Sequence, residues 1–126
     1  MVKKDSCCHS ILVVEDDKDI RGAIVTLLES EGYKTESAEN GKEALEKLSI
    51  IPKPCLVLLD MMMPIMNGRE FLDVVMKDSA LAPLPILIVS AVADRTNTEG
   101  SIGFLKKPID INVVLDVVSQ YCSPPP

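Results

Sequence analysis

Five polar residues each stand directly after, or one residue beyond, a short apolar run. Glu15 and Asp16 follow Ile11-Leu12-Val13-Val14, and Asp60 follows Cys55-Leu56-Val57-Leu58-Leu59. Ser90 follows Leu84 to Val89, and Lys107 follows Gly103-Phe104-Leu105-Lys106. If the runs are strands of one sheet, these side chains converge. Clustered carboxylates repel one another unless positive charge neutralises them. A hard divalent cation does this. Mg²⁺ takes oxygen ligands, keeps several waters, and uses one or two protein carboxylates together with phosphate. Lys107 adds a second positive charge and Ser90 a hydroxyl donor. Such a set suits a transferring phosphoryl group, whose equatorial oxygens need charge and donors already in place. A carboxylate can itself be the nucleophile, giving an acyl phosphate.

Each residue also has a duller reading. Asp16 or Asp17 could cap the helix that follows; the cap is assigned to Asp17 and the ligand role to Asp16. Asp60 could form a turn, Ser90 could be a loop hydroxyl, and Lys107 could be solvated, as most lysines are. The argument rests on all of them falling at the same ends of four strands. A metal site at Cys7, Cys8 and His9 is the weaker alternative, because zinc ligands are usually spaced more widely.

Strands and helices alternate along the chain. Asp17 to Glu31 carries Ile20, Ile24, Leu27 and Leu28 at helical spacing and is closed by Gly32. Tyr33 to Ala38 reads as a second strand. Asn40-Gly41-Lys42-Glu43 resembles a cap opening a helix through Leu48. Asn67-Gly68-Arg69-Glu70 repeats that pattern before Phe71, Leu72, Val75 and Met76. Pro85 sits near the start of the fourth strand, where its missing donor costs least. Asp110 caps a last helix whose apolar side carries Val113, Val114, Val117 and Val118. Wholly apolar strands alternating with amphipathic helices predict a doubly wound α/β domain with a parallel sheet covered on both faces. Its crossovers are right-handed. Ligands of such sheets bind outside the carboxyl ends of the strands, where the strand order switches.

The bulk composition agrees with a single domain. The chain has 126 residues, 47% of them apolar, and only 3% aromatic, so the core must be aliphatic. A net charge of -6 argues against nucleic acid as a partner. No apolar stretch reaches the ~20 residues of a membrane span, and the start is not a signal peptide. The expectation is a cytoplasmic protein with no membrane partner. Cys7, Cys8, Cys55 and Cys122 form no Cys-x-x-Cys pair and are expected as reduced thiols, some of them buried. Residues 1–9 are expected as an N-terminal extension, 10–121 as the domain, and 122–126 as a disordered, Pro-rich tail.

Taken together, these blocks resemble the receiver domain of two-component response regulators, in its single-domain, chemotaxis-regulator-like form. The resemblance runs from about Ser10 to Ser119. Ile-Leu-Val-Val-Glu-Asp-Asp is similar to the family's first strand and acidic pair. Leu58 to Gly68 resembles its phosphoacceptor segment, Pro85 to Ala91 the strand ending in a switch hydroxyl, and Gly103 to Pro108 its lysine-proline segment. The resemblance implies a flavodoxin-like strand order, 2-1-3-4-5. It implies that Asp60 accepts the phosphoryl group, and that Glu15, Asp16, Asp60 and the backbone carbonyl of Met62 hold Mg²⁺. It further implies that Ser90 and Lys107 contact the phosphoryl group, with Ser90 and Phe104 as the switch pair. Lys107 is chosen over Lys106 because it precedes the proline and because strand neighbours face opposite ways. Phe104 reads equally well as a core aromatic. Pro108 makes Lys107–Pro108 a candidate cis bond. The implied donor is a phosphohistidine on a histidine kinase or phosphotransfer protein. The output would be binding to a downstream protein, or phosphorelay, by a stand-alone domain.

Two departures from the family carry expectations. The segment between Ser90 and Lys107 is short, and Asp94 to Gly100 is poor in helix formers, so the fourth helix is expected to be shortened or missing. Met62 and Val92 stand two residues after Asp60 and Ser90, cannot orient a water, and imply slow self-dephosphorylation. Two other classes compete. An Mg²⁺-dependent aspartyl phosphatase would place its nucleophile on the first strand with a second acid two residues on, whereas Met61 and Met62 follow Asp60. A binding module that only keeps the fold would not need Asp16, Asp60, Ser90 and Lys107 together. The chain is therefore read as a phosphoacceptor signalling domain rather than an enzyme.

Overall fold

The computed structural model describes residues 10–91 and 99–122. In chain order the elements are β1 Ser10–Val14, α1 Lys18–Ser30, β2 Lys34–Ala38, α2 Gly41–Leu48 and β3 Leu56–Asp60. Then come α3 Gly68–Lys77, β4 Ile86–Ser90, β5 Gly103–Lys106 and α4 Ile111–Tyr121. The strands pair in parallel in the order β2-β1-β3-β4-β5. This is the doubly wound architecture expected from the alternation.

Every residue of β1, β3 and β4 is buried. Successive side chains of a strand point to opposite faces, so each strand feeds two apolar layers. Leu12, Val14, Val57, Leu59, Ile86 and Ile88 meet Phe71, Leu72 and Val75 of α3. Ile11, Val13, Leu56, Leu58 and Leu87 meet Leu28 of α1 and Val114 and Val118 of α4. A fully buried aliphatic side chain contributes roughly 1.5–3 kcal/mol. These layers make the strand ends a rigid platform.

The helix starts are held by side-chain caps. Asp17 accepts from the backbone N–H of Asp19 and Ile20, and Asn40 from that of Glu43. Asn67 and Glu70 form a reciprocal capping box, and Asp110 accepts from Asn112. Gly32, at φ 91°, terminates α1 as the sequence predicts.

Some expectations need correction. Met76 and Val113, assigned to apolar helix faces, are 41% and 37% exposed. Each flanks a narrower seam made by Phe71, Leu72 and Val75 or by Val114 and Val118. Cys55 and Cys122 are not both free thiols: they form a disulfide. Cys122 is also not part of a tail, since it is 4% exposed and packs in the core layer of α1 and α4. The described part of the β4–β5 connection carries no helix, and the described residues hold four helices in all. Residues 92–98, with most of the polar stretch, lie outside the described residues, as do Val92, Cys7, Cys8, His9 and the tail 123–126.

Candidate functional site

Four strands deliver the site. β1 ends at Val14, so Glu15 and Asp16 leave the sheet at its carboxyl edge. Glu15 is fixed there because its backbone N–H donates to Ala38 O at 3.0 Å. Asp60 and Ser90 are the last residues of β3 and β4. Lys107 follows β5, and its backbone N–H donates to Ser90 O at 2.8 Å.

The side chains meet. One carboxylate oxygen from each of Glu15, Asp16 and Asp60 lies within 4.8 Å of the others. Lys107 Nζ donates to Glu15 Oε1 at 2.8 Å and stands 3.7 Å from Asp60 Oδ1. Glu15 and Asp60 are 3% and 4% exposed, whereas Asp16 is at the surface. Ser90 is 2% exposed. Lys106 is exposed and paired in register with Ser90, while Lys107 turns its amine to the acids. The Lys107–Pro108 bond is cis. Phe104 lies opposite Ile88 and packs, half-buried, against the layer that holds Ile86 and Ile88. Met62 is 63% exposed, and its N–H donates to Asp60 Oδ1 at 3.3 Å.

The sequence reading missed three supporting contacts. The Arg21 guanidinium donates to Glu15 O at 2.8 Å, from the first turns of α1. The backbone N–H of Asp17 donates to Glu15 Oε2 at 3.2 Å, which aims that carboxylate. Gly68 opens α3 so close to the end of β3 that a Cβ there would stand 2.7 Å from Asp60 O. Only the last had a signal in the chain, an Asn-Gly pair, and that signal reads as a cap.

Charge balance decides what the site can hold. Three carboxylates face a single lysine amine. Burial first, and then the neighbouring Glu15 charge, push the Asp60 carboxyl from 3.8 up to about 7, although Lys107 and the Met62 N–H oppose the rise. Burial pulls the Lys107 ammonium down, but its hydrogen bond to Glu15 and the charges of Asp60 and Glu15 raise it above its ordinary value. The donor set is all oxygen, anionic and open on the Asp16 side. That chemistry fits a hard divalent cation such as Mg²⁺. Glu15, Asp16 and Asp60 are the residues that would hold it.

A pH dependence follows. Between about pH 4 and pH 7 folded Asp60 keeps a proton that the unfolded chain has released. Stability of the metal-free protein therefore falls as pH rises through that window. Thermal unfolding should show this decline in the wild type and a smaller one in Asp60→Asn. Saturating Mg²⁺ should flatten it. An identical pH slope in the two proteins would contradict the assignment.

Residues 11–119 match the response regulator receiver domain family. The two-component response regulator ORR5 of Oryza sativa subsp. japonica is 34% identical over 118 residues, covering 90% of this chain and 85% of that protein. The probable transcriptional regulator ycf29 of Pyropia yezoensis is 33% identical over 117 residues; the chain spans about half of its length, 52%. Among solved structures, response regulator protein TrrA from Thermotoga maritima in complex with Mg(2+)-BeF has a TM-score of 0.80 at 28% identity, covering 90% of this chain and 98% of that one. Sequence, fold and acidic pocket thus lead to one assignment: this chain belongs to the response regulator receiver domain family, the phosphoacceptor signalling domains of two-component systems.

Proposed function

We propose that residues 10–122 form a receiver domain that takes a phosphoryl group on Asp60 from a histidine kinase or phosphotransfer protein. The observation that carries this reading is the meeting of Glu15, Asp16 and Asp60 within 4.8 Å beside one lysine amine. An Asp60 carboxylate oxygen attacks phosphorus in line, the phosphorus–nitrogen bond breaks, and the leaving imidazole keeps its electron pair and is protonated. Glu15, Asp16, Asp60 and the Met62 carbonyl would hold Mg²⁺, which would supply positive charge to the phosphoryl oxygens. Lys107 releases part of its hold on Glu15 and pairs with a phosphoryl oxygen. Ser90 donates its hydroxyl to another. The solved TrrA complex with Mg(2+)-BeF supports the metal assignment by analogy.

The donor docks where the site is flanked by apolar surface. A cleft of about 540 Å³ lies between α1 and the start of α4, lined by Ile20, Ile24, Leu27, Pro108 and Ile111, with Lys107 at its edge. A partner helix bearing the phosphohistidine fits such a surface. Met62 offers no group to orient a water, which favours slow hydrolysis of the acyl phosphate. Output is protein binding or onward transfer of the phosphoryl group, in the cytoplasm.

Signalling then needs a state that phosphoryl contacts favour. Ser90 drawn toward the phosphoryl group shifts the end of β4, and Phe104 follows. Acetyl phosphate and Mg²⁺ should shift the amide resonances of Ser90, Phe104 and their neighbours in the wild type. Ser90→Ala should still gain the phosphoryl group but lose most of the Phe104 shift. An undiminished Phe104 shift in that variant would rule out Ser90 as the switch.

A further inference from the structure

The pole opposite the acidic site holds a second chemistry. Cys55 immediately precedes β3, and its backbone N–H donates to Ser10 O at 2.9 Å at the start of β1. Cys122 ends α4, with its N–H donating to Val118 O at 2.7 Å. The two are 67 residues apart in sequence, yet their Cα atoms are 5.4 Å apart and their sulfurs are bonded. That separation is ordinary for a disulfide. Cys122 lies beyond residues 11–119, the span of the family match, so the pair is not part of the pattern that defines the family.

The bond ties down a lightly held element. Helix α4 buries Val114 and Val118 and packs Leu115 and Val117 half-buried beside them, while Ile111, Val113 and Tyr121 are 48%, 37% and 42% exposed. A helix with so much of its length exposed opens locally at lower cost than the core strands do. A covalent link at its last turn removes most of those open states. The first residue of α4 stands four positions after Lys107, so order in this helix bears on the loop that carries the site lysine.

We propose that Cys55 and Cys122 are a reversible thiol–disulfide site through which the surrounding redox poise sets the local stability of helix α4. Cys55 is the more accessible partner and Cys122 the buried one. In oxidation, the Cys55 thiolate attacks a low-molecular-weight disulfide, the sulfur–sulfur bond of that reagent breaks, and one thiolate leaves. The Cys122 thiolate then attacks the Cys55 sulfur and expels the second. Two protein thiols and one reagent disulfide become one protein disulfide and two reagent thiols, which take up the two protons. In a compartment kept reducing, the pair rests as the dithiol.

The test uses the full chain carrying Cys7→Ser and Cys8→Ser, reduced with dithiothreitol and then exposed to oxidised glutathione. Intact mass should fall by about 2 Da with no retained glutathione. Hydrogen exchange across Ile111–Cys122 should slow about tenfold or more relative to the reduced form, with smaller changes in β1 and β3. Adding Cys122→Ala should leave a glutathione adduct on Cys55 and no slowing. Three results would overturn the proposal: a persistent mixed disulfide in the chain that keeps both cysteines, a disulfide that leaves exchange in α4 unchanged, or a reduced protein that does not fold, which would make the bond a fixed structural one.

Discussion

Lys107→Met should destabilise the metal-free protein by about 2–3 kcal/mol above pH 7, and Mg²⁺ should restore most of the loss. The lysine amine sits 2.8 Å from Glu15 and 3.7 Å from Asp60, two carboxylates that have left water almost completely. Removing it leaves both buried without a counter-charge. Breaking a fully buried pair costs roughly 3–5 kcal/mol; the lower figure reflects a lysine side chain that is 17% exposed. A divalent cation replaces the missing charge, so the defect should be conditional on metal. Urea unfolding with and without Mg²⁺ measures both parts. The variant should also accept phosphoryl groups about 10²-fold more slowly, because a donor to the transferring oxygens is gone. Unchanged stability, or a loss that Mg²⁺ does not repair, would show that the lysine does not neutralise this cluster.

The second large effect falls on Asp16. It is exposed and serves no cap, since Asp17 accepts the N–H groups of Asp19 and Ile20. Asp16→Asn should therefore leave the fold intact and weaken Mg²⁺ binding by on the order of 10–100-fold. Asp17→Ala makes the opposite trade. It should cost about 1 kcal/mol through the lost cap and leave the metal affinity nearly unchanged. Calorimetric titration and thermal unfolding of the two variants separate the roles. Equal metal affinity in Asp16→Asn and the wild type would remove Asp16 from the site.

Much of this arrangement is legible in the chain because the three central strands, β1, β3 and β4, are short and almost wholly apolar up to the residues that end them. Where such a run stops at an acid, a serine or a lysine, the side chain must stand at the sheet edge, and one parallel sheet puts all those edges on the same side. Strand alternation says that only one of Lys106 and Lys107 can enter the site, and the family resemblance, with its lysine directly before the proline, selects Lys107. The strand order depended on the family resemblance, since alternation alone permits several orders. Helix faces were less readable. Met76 and Val113 continue apolar spacing but lie outside the seam, because a helix against a sheet buries a narrower stripe than its sequence periodicity suggests. The Cys55–Cys122 bond was illegible for another reason. It joins the start of a strand to the end of a helix, and only the completed winding brings those ends together. The approach of Gly68 to Asp60 O likewise depends on where α3 packs, which no local pattern encodes.

The central claim is that Asp60 is the residue that takes the phosphoryl group. Intact mass after incubation with acetyl phosphate and Mg²⁺, comparing the wild type with Asp60→Asn, tests it most directly. The structure predicts a gain of one phosphoryl group in the wild type, dependent on Mg²⁺, and none in Asp60→Asn. Equal phosphorylation of the two proteins would contradict it and place the chemistry elsewhere in the molecule.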